Sequence, residues 1–229
     1  MKNHWNHRYT IIRRPKRKTA SIVIRADNRV EVLAPSRMPS ELIDRFVQEK
    51  SGWIQKKLYF NREVKAAYVA KTFLSGETFL MLGMTYSLQL QYGNRAIALC
   101  ESTLLVSHPE PESETTKRQI VRWYRQQAEN HFMERCRFFS TIIGKQPQSV
   151  GVKSYKSRWG SCHHDGRIYF NWRLIMAPEW VIDYVVAHEL CHLIHPNHSK
   201  QFHDLLQSIY PTHKAVKSWL HINGQTLAL

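Results

Sequence analysis

The chain has 229 residues, 43% of them hydrophobic, with 33 Lys and Arg against 18 Asp and Glu and a formal net charge of +15. That length suits one large domain or two small ones with a real core, and no run approaches 18 uninterrupted apolar residues, which excludes a transmembrane helix. Cys100, Cys136, Cys162 and Cys191 lack C-x-x-C spacing and the first residues lack a signal-peptide apolar stretch, so free thiols and a cytoplasmic setting are expected, with no membrane partner.

Residues 8–35 alternate as strands do, and 21–25 with 30–33 flank Asp27-Asn28 as a hairpin. Pro39-Ser40 open a helical pattern through Leu42, Ile43, Phe46, Val47, Ile54 and Leu58. Residues 72–107 read as several short strands, with turns at Ser75-Gly76, Gly83 and Gly93-Asn94. The polar, acidic stretch 109–114 reads as a linker. After it, a long amphipathic helix turns Ile120, Trp123, Tyr124, Phe132, Met133 and Phe138 to the core. Strands near 149–155 and 167–172 lead into an apolar helix over 177–194, with Pro178 at its start and Glu179 in its positive first turn. Helices near 199–209 and 213–222 follow. The expected class is α+β: a β-rich N-terminal region with one helix over 1–108, then a mainly helical domain over 109–229.

Within the apolar helix stands His188-Glu189-Leu190-Cys191-His192, with His198 six residues on. Histidines four apart share a helix face, their Cβ atoms about 6 Å apart, so both rings reach one metal ion. The neighbouring Glu189 is then placed to take a proton from water at that ion, as a catalytic zinc site requires. Cys191 points in another helical direction and reads as packing. No glutamate follows Glu189, and the only later aspartate is Asp204, which leaves His195, His198, His203, His213, His221 and Asp204 as candidates for a third ligand. His195 lies about 10.5 Å along the axis from His188. Pro196 disfavours helical geometry at His195, and a turn at Pro196-Asn197 swings His198 back before Ser199 caps another helix. His198 is therefore the best third ligand. Three protein ligands leave the open position that separates a catalytic zinc site from a structural one. His203 is a candidate substrate contact.

The positive charge is uneven. Lys2, Arg8, Arg13, Arg14, Lys16, Arg17 and Lys18 occur in the first 18 residues without an acid, and residues 145–173 hold six basic side chains against Asp165 alone. Such fields attract nucleic acid non-specifically, acidic protein or phosphorylated molecules. The run Ser157-Arg158-Trp159-Gly160-Ser161-Cys162 and the strand that ends at Asn171-Trp172-Arg173 precede the metal helix. A strand in that place borders the cleft of zinc peptidases and accepts an extended peptide at its edge. Arg158 and Arg173 are candidates to hold an anionic substrate or a developing oxyanion, and Trp159 and Asn171 are candidate substrate contacts beside them.

Taken together, Ser157–Cys162, Asn171–Leu174, the run from Asp183 to Leu190 and Asn197-His198-Ser199 resemble the YgjP-like metal-dependent hydrolases, relatives of the SprT-like zinc metallopeptidases. The basic hairpin and Ser75-Gly76-Glu77 extend the likeness over nearly the whole chain. This resemblance implies a zincin-like catalytic domain, Zn2+ held by His188, His192 and His198, Glu189 as acid/base, and a bacterial cytosol. It implies a protein or peptide substrate, with hydrolysis of nucleoside triphosphates at the same site, or a nucleic-acid-associated protease, as alternatives. Two positions depart from related patterns: His195 stands where metzincins have Gly, and His203 where family members carry Trp.

Overall fold

The computed structural model describes residues 8–25, 27–67, 71–227 and 229; the side chains of 60–67, 213 and 214 lie outside the description. Lys2 of the basic segment and the candidate ligand His213 therefore fall outside it. The chain divides into two compact units, Met1–Val69 and Ala70–Leu229.

In the first unit β1 (Tyr9–Arg14), β2 (Ser21–Ile24) and β3 (Val30–Pro35) form a sheet of order β1-β3-β2. The central strand runs parallel to β1 and antiparallel to β2. Alternation along β3 buries Val30, Val32 and Ala34 on one face. Against that face pack Ile43, Val47, Ile54 and Leu58. These last four come from two helices, not one: α1 (Ser40–Glu49) and α2 (Ser51–Ala67) are separated at Lys50, whose φ −95° and ψ 4° leave the helical range.

The second unit opens with β4 (Thr78–Met81), β5 (Met84–Tyr92), β6 (Ala96–Cys100) and β7 (Thr103–His108), ordered β4-β5-β7-β6. Next comes α3 (Ser113–Ile143), then β8 (Ser149–Lys153), β9 (Gly160–Cys162) and β10 (Arg167–Asn171), ordered β8-β10-β9. A 3-10 turn (Trp172–Met176) leads to α4 (Glu179–Cys191), α5 (Lys200–Ile209) and α6 (His213–Asn223). The α+β class is as expected. No helix among the described residues is long and apolar enough to cross a membrane.

The division falls after Val69, so the sheet β4–β7, grouped with the N-terminal region on sequence, lies in one compact unit with the metal-motif helix. Local chemistry explains why. The β4–β5 turn needs Gly83 at φ +80°, and a Cβ there would come 2.9 Å from Pro178, at the start of α4. Leu82 N–H donates to the Ile175 carbonyl at 2.8 Å, which ties the same turn to the 3-10 segment. Phe79, Leu88, Leu104 and Val106 join a single core with α3 and α4. The long helix buries Ile120, Tyr124, Ala128, Phe132 and Cys136 at four-residue intervals. At its C-terminal end Phe139 turns inward (5% exposed), while Phe138, expected in the core, is 50% exposed beneath the Arg135 guanidinium. Arg135 in turn forms a two-pronged pair with Asp183 of α4, at 2.6 and 2.9 Å.

Candidate metal centre

Apolar side chains surround α4, which buries Val181, Ile182, Val185, Val186, Leu190 and Cys191 between α3, α5, α6 and β9. His188 and His192 lie on the face that opens to solvent. The helix tightens after Cys191: Leu193 and Ile194 N–H groups donate three residues back, and His195 N–H donates to the Cys191 carbonyl. Pro196 then ends it. The turn frees the His195 carbonyl, 3.1 Å from His192 Nδ1. With Nδ1–H donating there, the His192 Nε2 lone pair faces outward.

Beyond the turn, the Ser199 side chain accepts from Phe202 N–H and caps α5. That cap seats Phe202, fully buried, beneath three imidazoles, with ring centroids 4.9 Å from His188, 4.5 Å from His192 and 4.8 Å from His198. One ligating atom from each of His188, His192 and His198 lies within 4.8 Å of the others. His188 Nε2 and His198 Nε2 are 3.1 Å apart. Ligands at roughly 2.0–2.1 Å on a tetrahedral ion stand about 3.3 Å from one another, a spacing that the His188 and His198 nitrogens match; the 4.8 Å spread of the three would draw in around a zinc-sized cation. His188 is half-buried, and its pKa is pushed down to about 3 by that desolvation and then by the neighbouring His192 and His198. Its lone pair is therefore available to a metal at neutral pH. His192 is lowered as well, first by burial.

Glu189 lies against Gly160 of β9. It is 7% exposed, and burial raises its pKa to about 7 despite the opposing pull of Arg158 and of a backbone hydrogen bond from Cys162. A cleft of about 460 Å³ joins this carboxylate to His188, His192 and His198. Its far wall comprises Arg158, Trp159, Gly160 and Ser161, with Tyr184 and Leu220 completing it. A neighbouring hollow of about 610 Å³, sharing Cys162, His192 and Pro196 with the cleft, carries Lys145, His163 and His164.

The candidate substrate residues separate. Arg158 and Trp159 line the cleft. Asn171 is instead 4% exposed and serves the backbone: its Nδ2 donates to the Tyr155 and Arg158 carbonyls, and its Oδ1 accepts from Arg173 N–H. The side chain of Arg173 lies over the Trp172 ring, 4.4 Å from the centroid, and is not part of the cleft lining. His203 is exposed and stacks on His198 at 6.2 Å. The strand at the cleft is β9, not the longer β10, which sits between β8 and β9 in the sheet. Sequence reasoning passed over Gly160, Tyr184 and Leu220. Tyr184, one turn before His188 on the same helix face, carried a signal in its spacing; Leu220, on α6, carried none.

A family model described as YgjP-like, metallopeptidase domain matches residues 18–223. No curated protein matches the chain.

Proposed function

The chain belongs to the YgjP-like metallopeptidase family, and from that premise we propose that it is a cytoplasmic zinc-dependent endopeptidase. The family implies a divalent metal and a hydrolytic reaction. The observation that carries the peptide reading is the short edge strand β9, which pairs with no strand but β10 among the described residues and forms one wall of the cleft that holds the three histidines and Glu189. Apart from the Cys162 N–H that Glu189 takes up, the open side of such a strand can add extended peptide through main-chain hydrogen bonds.

His188, His192 and His198 would hold the ion. When bound, zinc supplies Lewis acidity to a substrate carbonyl and acidifies water. Glu189 removes a proton from the attacking water and returns it to the leaving amine, a task for which a carboxylate lifted toward neutrality by burial is suited. Arg158, exposed at the cleft, offers positive charge to a developing oxyanion. Trp159, Tyr184 and Leu220 give that cleft apolar walls suited to side chains of a peptide. The cue expected for the nucleotide alternative is a cluster of Arg or Lys within reach of the metal, with Arg158 and Arg173 foremost; of these two only Arg158 lines the cleft, which favours the peptide.

The test is a parallel assay of unfolded casein and ATP with wild-type protein and Glu189→Gln, alongside zinc analysis. Expected are casein cleavage by the wild type and loss of at least about 100-fold in Glu189→Gln, with zinc retained. Hydrolysis of ATP with intact casein would overturn the proposal.

A further inference from the structure

A second concentration of charge lies on α3, and none of its residues lines the metal cleft. Arg95, from the turn between β5 and β6, joins Arg118 and Arg122 of α3 around a hollow of about 190 Å³. Arg118 and Arg122 also wall a second hollow, of about 680 Å³, to which Lys117 and Arg125 contribute, four basic groups in all against Glu114 and Glu129. The two form one groove with a shared wall.

Glu114 and Glu129 offset part of this charge, but few of the basic groups are directly paired. Lys117 pairs with Glu114 at 3.9 Å, but Arg95, Arg118, Arg122 and Arg125 have no carboxylate in salt-bridge range among the described residues. Arg95 is steadied instead by donating from Nε to His108 Nε2 at 3.1 Å, and His108 is only 5% exposed. Arg118, Arg122 and Arg125 follow one helix face over seven residues, about 10.5 Å at 1.5 Å per residue. A nucleic-acid strand presents a charge about every 3.4 Å along its axis, so the row spans about three phosphates. One isolated phosphate would engage one hollow and leave the rest of the row idle. Guanidinium groups bind phosphate oxygens through paired N–H donors, and neither hollow is lined by Phe, Tyr or Trp, the larger rings on which a base would stack.

We propose that this groove binds the phosphodiester backbone of nucleic acid, without reading its sequence. The site is separate from the metal cleft, so binding and hydrolysis are independently removable.

Anisotropy of a fluorescein-labelled oligonucleotide of about 20 residues, single-stranded and as its duplex, measured against salt with the full zinc-loaded chain, tests this. Affinity should fall linearly on a log–log plot against salt. The combined Arg118→Gln, Arg122→Gln, Arg125→Gln variant should lower that slope by about 2–3 and weaken binding at low salt by on the order of 10-fold or more. A matching triple Lys variant should keep most of the slope, and both should keep the wild-type circular dichroism, zinc content and casein cleavage. Wild-type slope in the Gln variant would overturn the proposal by sending the attraction to another basic segment. Equal displacement of the oligonucleotide by polyglutamate would overturn it too, because the groove would then select charge alone.

Discussion

The Glu189 carboxylate occupies the space that a side chain at position 160 would need: a Cβ on Gly160 would lie 2.6 Å from Glu189 Cγ and Oε1. The absence of a side chain at this one position of β9 thus leaves room for the carboxylate of α4 against the cleft-edge strand. Gly160→Ala should push Glu189 out of line. The expected cost is about 1–3 kcal/mol in stability, from overpacking. Casein cleavage should fall by roughly 100-fold for a displacement near 1 Å, with zinc still bound. Denaturant melts and kcat/KM measure the two effects, and undiminished activity would mean that Glu189 has no fixed position to lose.

His198 and His203 stack on each other, yet only His198 approaches His188 and His192. His198→Ala should weaken zinc binding by more than the roughly 10–100-fold that removal of a supporting group costs. His203→Ala should keep one zinc per chain. Competition with a chelating dye reads both. Equal losses would assign the third ligand differently.

Glu189 also predicts a pH dependence in the metal-free protein. Its pKa rises from 4.5 to about 7 on folding, mainly through burial. Between those values the folded chain holds a proton that the unfolded chain has released. The associated stability is complete below 4.5 and is lost as pH rises through about 7. Glu189→Gln lacks this dependence, so relative to wild type it should gain roughly 3 kcal/mol between about pH 4 and about pH 8. His188 acts in the opposite sense: its pKa falls to about 3, so its stability is present above 6.5 and lost as pH falls toward 3. That contribution is common to both proteins and drops out of the comparison. Urea unfolding with a chelator present measures the difference, and a pH-independent gap would contradict the buried carboxylate.

Asn171 holds the loop that carries Arg158 and Trp159, through the Tyr155 and Arg158 carbonyls. Asn171→Ala should leave those carbonyls without their donor, at about 1–3 kcal/mol. Because the loop, not the metal, loses its support, zinc content should persist while kcat/KM falls. Unchanged kinetics would confine Asn171 to stability.

Much of the candidate site was legible because its determinants are local. Histidines one turn apart share a face of any helix, Pro196 stops the helix before itself, and Ser199 starts the next one. Those three steps bring His198 back to His188 without reference to the rest of the fold. The strand pattern of β3 was equally readable, since alternation reports one buried face. The break at Lys50 was not, because the apolar spacing of Ile43, Val47, Ile54 and Leu58 runs across both helices.

Other features waited for distant contacts. Three residues, Gly160–Cys162, are too few to show a period, and only their pairing with β10 makes them the cleft edge. Asn171 looked like a substrate contact until burial turned its amide to the loop, and Arg173 looked like an anion holder until Trp172 drew it aside. Phe139, not Phe138, is the buried ring, next to an Arg135 that pairs with Asp183, 48 residues away in the chain. By itself, the sequence determined which nitrogens gather, since helix periodicity and a proline act over a few residues. Only the tertiary structure decided what surrounds them, because burial, and with it the raised pKa of Glu189, is a property of neighbours that the chain brings from far away.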